Sequence, residues 1–115
     1  MSKAVRPWDV WWLDLDPAAG REHAGQRPAV VVSSQFHLSL TGGALISILP
    51  MTTRERPGWE HRISIPIPGK RGGYIITEQV RTISRGRLTG PAPVYRLNDQ
   101  QITTVRRVLT KMIDL

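Results

Sequence analysis

Between Pro28 and Thr53 the chain carries no Lys, Arg, Asp or Glu. The stretch is long enough to cross a bilayer, but serines, Gln35, His37, Thr41, a glycine pair and Pro50 interrupt it, and it is too polar to do so. Two short apolar runs remain, Pro28–Ser33 and Ala44–Met51. Continuous apolar runs of this length read as strands buried on both faces, here joined by a loop. A chain of 115 residues makes one domain, 1–115, with a small but adequate core.

Asp9–Leu15 has strand composition. Pro17–Gln26 is a loop punctuated by Pro17, Gly20 and Gly25. Thr53–Gly58 is polar and basic and reads as a loop. Arg62–Ile67 alternates with period two, and its Pro66 places it at a sheet edge or a bulge. Tyr74–Thr77 and Gln79–Ile83 follow as further strands. The last element is a helix. Asn98 is a good N-cap, and Gln101 three residues later completes a capping box. Ile102, Val105, Val108, Leu109 and Met112 fall at spacings of three and four, which makes one apolar face. Arg106, Arg107 and Lys111 complement the helix dipole towards its C-terminus. Short strands, frequent turn signals and one terminal helix predict a mostly β, largely antiparallel small barrel with a C-terminal α-helix.

Charge is unevenly spread. Lys and Arg number 16 against 9 Asp and Glu, a formal net charge of +7. Residues 1–52 hold four of each sign, so residues 53–115 supply the whole excess. Thirteen of the cations are arginine, the side chain suited to two-pronged phosphate contacts and to stacking on bases. A polyanion partner, nucleic acid or a strongly acidic peptide, follows as one reading. A basic surface that aids solubility is the other. The chain has no cysteine, which excludes disulfides, thiolate zinc sites and cysteine nucleophiles. Asp9, Asp14 and Asp16 fall where a secretory leader would be apolar, so no leader is expected and the cytoplasm is the expected compartment.

The segment Gly20–Pro28 groups Glu22, His23 and Arg27 just before a buried strand. A carboxylate and an arginine at a strand end can form an acid/base pair, or simply an ion pair on a solvated loop. Thr52 and Thr53 end the second apolar run and open a loop with Arg54 and Arg56. They are either phosphate ligands or ordinary turn residues. Asp14 and Asp16 share a strand face and could hold Mg²⁺ through waters, but solvated turn residues are the simpler account. The histidines at 23, 37 and 61 lack metal-ligand spacing. Of the four tryptophans, Trp12 is expected in the core, and Trp8 or Trp11 either stacks a base or lines a barrel wall or dimer interface.

Taken in order, these segments resemble the MazF/PemK family of toxin endoribonucleases. The resemblance rests on Val10-Trp-Trp-Leu-Asp-Leu-Asp-Pro17, Gly20-Arg-Glu-His-Ala-Gly-Gln-Arg-Pro28, Val30-Val-Val-Ser33, Leu49-Pro-Met-Thr-Thr-Arg54, Glu78-Gln-Val-Arg-Thr-Ile83 and Arg87-Leu88, and it covers essentially the whole chain. It implies an SH3-like barrel of the plasmid-maintenance-toxin type that forms a homodimer. It implies metal-independent, cofactor-free cleavage of single-stranded RNA at short sequence motifs, leaving a 2′,3′-cyclic phosphate and a 5′-hydroxyl. It also implies a cognate antitoxin whose acidic segment blocks the site. Carried over by motif, the catalytic residues fall on Arg27, Thr52 and Glu22. Gln79 and Arg81 fall on the family's Gln-x-Arg, in a supporting role. RNA contacts are expected at His23, Gln26, Thr53, Arg54, Arg56 and Arg85. The chain departs from the family at Trp8, where glycine is usual and a different first turn is implied, and at His23, where glutamine is usual. The stretches Arg54–Arg62 and Gly69–Gly73 vary within the family and are expected to set sequence preference.

Cleavage by a neighbouring 2′-OH needs a base, an acid and donors for the charged phosphorane. The nucleophile comes with the substrate, so the chemistry asks for no metal and excludes DNA. Arg27 suits the electrostatic role, Thr52 can hydrogen-bond a phosphate oxygen, and Glu22, then His23, are the candidate bases. The rival readings are a non-enzymatic gyrase poison of the related CcdB-like class and a barrel that binds nucleic acid without chemistry. The C-terminal Trp-Gly-Ile on which that class depends is replaced here by Lys111-Met-Ile-Asp-Leu115.

Overall fold

The structure, a computed structural model, describes residues 4–14, 26–66 and 72–114. Three antiparallel strands form its centre: β1 (Asp9–Asp14), β2 (Gln26–Val31) and β3 (Leu45–Thr52). Ala29, Val30 and Val31 of β2 are each fully buried. A continuous apolar run is what such a strand requires, because both of its faces are covered. Val10, Val30, Leu49 and Met51 face one core cluster, while Trp11, Leu13, Ala29, Val31, Ile46 and Ile48 face another. The two clusters lie on opposite sides of the same three strands, as period-two alternation demands.

The remaining strands are short and extend this centre. β3 is shared between two neighbours. Leu45–Ile48 pair with β6 (Arg81–Ser84), and Met51–Thr52 pair with β5 (Gly73–Ile76). β4 (Arg62–Ile65) pairs only with β5 and forms the sheet edge, with Pro66 directly after it. β7 (Leu88–Thr89) and β8 (Tyr95–Arg96) both pair with β1. The helix α2 (Asp99–Met112) packs on the first core cluster through Val105 and Val108. Its capping box is formed: Asn98 Oδ1 accepts from Gln101 N–H at 2.8 Å, and Gln101 Oε1 accepts from Asn98 N–H at 2.8 Å. Met112, expected on the apolar face, lies at the last turn and is 42% exposed. No described helix is long and apolar enough to cross a membrane.

Four expectations are corrected. The connection between the two apolar runs holds a six-residue helix, α1 (Gln35–Leu40), capped by Ser34. Only Leu38 of that helix is buried, so it leaves too little pattern to be read in sequence. β2 begins at Gln26, which makes Arg27 a strand residue paired with Leu13 rather than a loop residue. Backbone pairing needs no apolar side chain, and Gln26 and Arg27 are both exposed at the strand's free end. Trp11, not Trp12, is the core tryptophan, 1% exposed beside Leu13. Trp8 keeps a left-handed backbone, φ 70°, so the first turn retains the conformation glycine favours. Leu15, Asp16, Ile67 and most of the segment Pro17–Gln26 lie outside the described residues.

Candidate active site

The antiparallel register pairs Ala29 with Pro50. Carried two steps towards the open end, it sets Arg27 of β2 across from Thr52 of β3. Both side chains line one cleft of about 300 Å³, together with Trp12, Gln26, Thr53 and the glycines at 72 and 73. The cleft forms here because the buried runs of β2 and β3 have ended. Arg27 is exposed and Thr52 half-buried, while Met51 just inside is fully buried.

Local hydrogen bonds orient the polar groups. The Thr52 hydroxyl oxygen accepts from the backbone N–H of Arg54 at 3.1 Å, which leaves its own O–H to donate outward. The Thr89 hydroxyl donates to Gln26 Oε1 at 3.0 Å, which leaves the amide NH₂ as a donor at the cleft margin. Two further hollows continue the cleft on either side. One, lined by Thr53, Ser64, Gly72, Gly73 and Tyr74, shares Thr53 and both glycines with it. The other shares Trp12 and Gln26. The three make one groove along the open ends of β1, β2 and β3.

The loop after Thr53 is braced rather than loose. Trp59 stacks on His61 with ring centroids 5.1 Å apart, and the guanidinium groups of Arg56 and Arg62 lie 5.1 and 4.9 Å from its ring. Arg62 also pairs with Glu78 at 2.9 Å. That hydrogen bond from Arg62 holds the Glu78 carboxyl below its ordinary range, against the smaller opposing effect of burial.

The structure therefore brings together Gln26, Arg27, Thr52 and Thr53, with Arg54 adjoining. Arg56 is engaged on Trp59. Gln79 and Arg81 are not among the cleft-lining residues; Gln79 follows β5, and Arg81 pairs with Ile48 of β3. Arg85 sits beyond the other end of β3, where its guanidinium donates to the Gly43 carbonyl at 3.5 Å. Seven residue steps along a strand separate Leu45 from Thr52, roughly 23 Å, so Arg85 is remote from the cleft. Glu22 and His23 lie outside the described residues. Gly72 and Gly73 line the site, within the stretch Gly69–Gly73 expected to set sequence preference, and Trp12, expected in the core, lines it as well. The sequence signal for Trp12 was its shared strand face with Asp14, outward at the end of β1. Among the described residues no group of three or more His, Asp or Glu could hold a metal ion.

Comparison with known proteins gives the family. The model of the PemK-like, MazF-like toxins of type II toxin–antitoxin systems matches residues 6–113. The endoribonuclease toxin MazF of Escherichia coli is 35% identical over 77 residues, which span 66% of this chain and 65% of that protein. The endoribonuclease EndoA of Bacillus subtilis is 28% identical over 110 residues, covering 91% and 90% of the two chains. A MazE–MazF crystal structure from Deinococcus radiodurans has the same fold, with a TM-score of 0.75, 23% identity and 94% of each chain covered. The chain belongs to the PemK-like, MazF-like toxin family.

Proposed function

We propose that this protein is the toxin of a type II toxin–antitoxin pair and cuts single-stranded RNA as an endoribonuclease. The observation that carries the proposal is the pairing of Arg27 with Thr52 across one open cleft, in a chain of this family with a net charge of +7. The substrate 2′-oxygen attacks the adjacent phosphorus, the bond to the 5′-oxygen breaks, and a 2′,3′-cyclic phosphate and a 5′-hydroxyl result. A base takes the 2′ proton, and an acid returns one to the leaving oxygen. Arg27 offers a permanently cationic, two-pronged donor to the phosphorane oxygens. Thr52, whose oxygen accepts from Arg54 N–H, donates a second hydrogen bond through its own O–H. We assign the base to Glu22, with His23 as the second candidate, and RNA contacts to Gln26, Thr53 and Arg54.

The partners proposed with this activity are a cognate antitoxin and a second copy of the chain. An acidic antitoxin segment suits the basic half of the sequence by charge. A mycobacterial endoribonuclease of the same fold, solved in complex with its cognate antitoxin, supports that partner. The cytoplasm, where mRNA is translated, is the proposed compartment.

The purified protein should cut a long RNA in EDTA, leave new 5′-hydroxyl ends, and spare DNA of the same sequence. Cleavage lost in EDTA and restored by Mg²⁺, or 5′-phosphate ends, would contradict the 2′-OH mechanism.

A further inference from the structure

The hollow that shares Trp12 and Gln26 with the cleft is lined otherwise by Thr89, Gly90, Pro91, Ala92 and Val94. Its volume is about 440 Å³, and among the described residues no ionisable side chain lines it. A phosphate group gains nothing in such a place, whereas a nucleobase finds an aromatic face, apolar walls and two polar groups. We propose that this hollow is a base-binding subsite, which takes one unpaired base flanking the scissile phosphate, stacked on Trp12 and read by the Gln26 amide. The proposal rests on the RNA-cleavage assignment above and adds a specificity element to it.

Both walls are built in advance. Thr89 pairs with Trp12 in the β1–β7 register, and Val94 N–H donates to the Val10 carbonyl at 2.8 Å. The hollow's far wall therefore hangs on the strand that carries Trp12, so little ordering remains for binding. The Thr89 hydroxyl occupies Gln26 Oε1, so the amide offers its NH₂. That donor favours a base presenting a carbonyl oxygen or an unprotonated ring nitrogen. A strand that places its phosphate between Arg27 and Thr52 has this hollow as the next space along the groove.

The test is equilibrium binding of RNA oligonucleotides made uncleavable by a 2′-deoxy sugar at the mapped cleavage site, with each flanking position abasic in turn. In the wild-type protein one abasic position should weaken binding about ten- to a hundredfold, the scale of one base–aromatic stack. Trp12→Ala should weaken the intact strand by a similar factor and abolish sensitivity to that abasic position. Trp12→Phe should retain most of the affinity, which separates stacking from misfolding. Gln26→Ala should keep the abasic sensitivity but lose discrimination among bases there. If each abasic position affects Trp12→Ala and wild type equally, the proposal fails and the hollow is left to a protein side chain. Binding of an uncleavable strand needs no catalysis, so failure of the Arg27 and Thr52 assignment would show in cleavage and leave this result standing.

Discussion

Trp8 holds a backbone conformation that costs a non-glycine residue about 1–2 kcal/mol, at φ 70°. Long-range hydrogen bonds impose it. Trp8 N–H donates to the Val31 carbonyl at 2.7 Å, and Leu97 N–H donates to the Trp8 carbonyl at 3.1 Å. The side chain offsets the strain by packing on the first core cluster, with the Arg106 guanidinium 5.4 Å from its ring. The glycine usual here suggested that a tryptophan would bring a different turn. Residue preference lost to tertiary bonding, and no local pattern in the sequence carries those bonds. Trp8→Ala loses the packing and keeps the strain, whereas Trp8→Gly loses both. In urea unfolding, Trp8→Gly should therefore exceed Trp8→Ala in stability by about 1 kcal/mol. Equal stabilities, or the reverse order, would show that the turn is not held left-handed.

Elements with a strong period or a long apolar run were legible. β2, β3 and α2 follow their patterns closely, because burial decides their structure and burial is written in residue type. The short β8 and α1 were not, since two- and six-residue elements buried on one side carry almost no periodicity. The site was half legible for the same reason. Arg27 and Thr52 end apolar runs and stand out, whereas the adjacent Trp11 and Trp12 give the same apolar signal to opposite faces of β1, and only Trp11 is buried. Arg62 and Glu78 tie β4 to the turn after β5. Glu78 titrates lower in the native state than in the unfolded chain. Its stabilising effect is thus full above the ordinary glutamate range, about pH 4–5, and is lost as pH falls through the native value. Glu78→Gln should lower the melting temperature modestly at neutral pH, since the pair is partly solvated, and should flatten the acid side of the stability profile. An unchanged acid slope would show that the pair contributes nothing to folding.

Across the whole molecule, charge and shape divide the labour. The groove follows the open ends of three strands, and the cationic excess lies in the half of the sequence that begins at Thr53. Each phosphate contact on a single strand contributes about 0.7 to the dependence of log affinity on log salt. Arg54→Glu, beside the cleft, should weaken RNA binding and reduce that slope by about this amount. Arg85→Glu, beyond the far end of β3, should change the slope much less. Equal effects would mean that the strand runs outside the groove.

If the cleft between Arg27 and Thr52 performs the cleavage, single-turnover cutting of a long RNA by Arg27→Ala must show it. Arg27 is exposed at a strand end, so its loss opens no core cavity, and stability should change by less than about 0.5 kcal/mol. Loss of a donor to a developing oxyanion slows reaction by about 10²–10³-fold, and the rate of Arg27→Ala should fall at least that far with an unchanged melting curve. Cleavage by Arg27→Ala at the wild-type rate would contradict that role for the cleft.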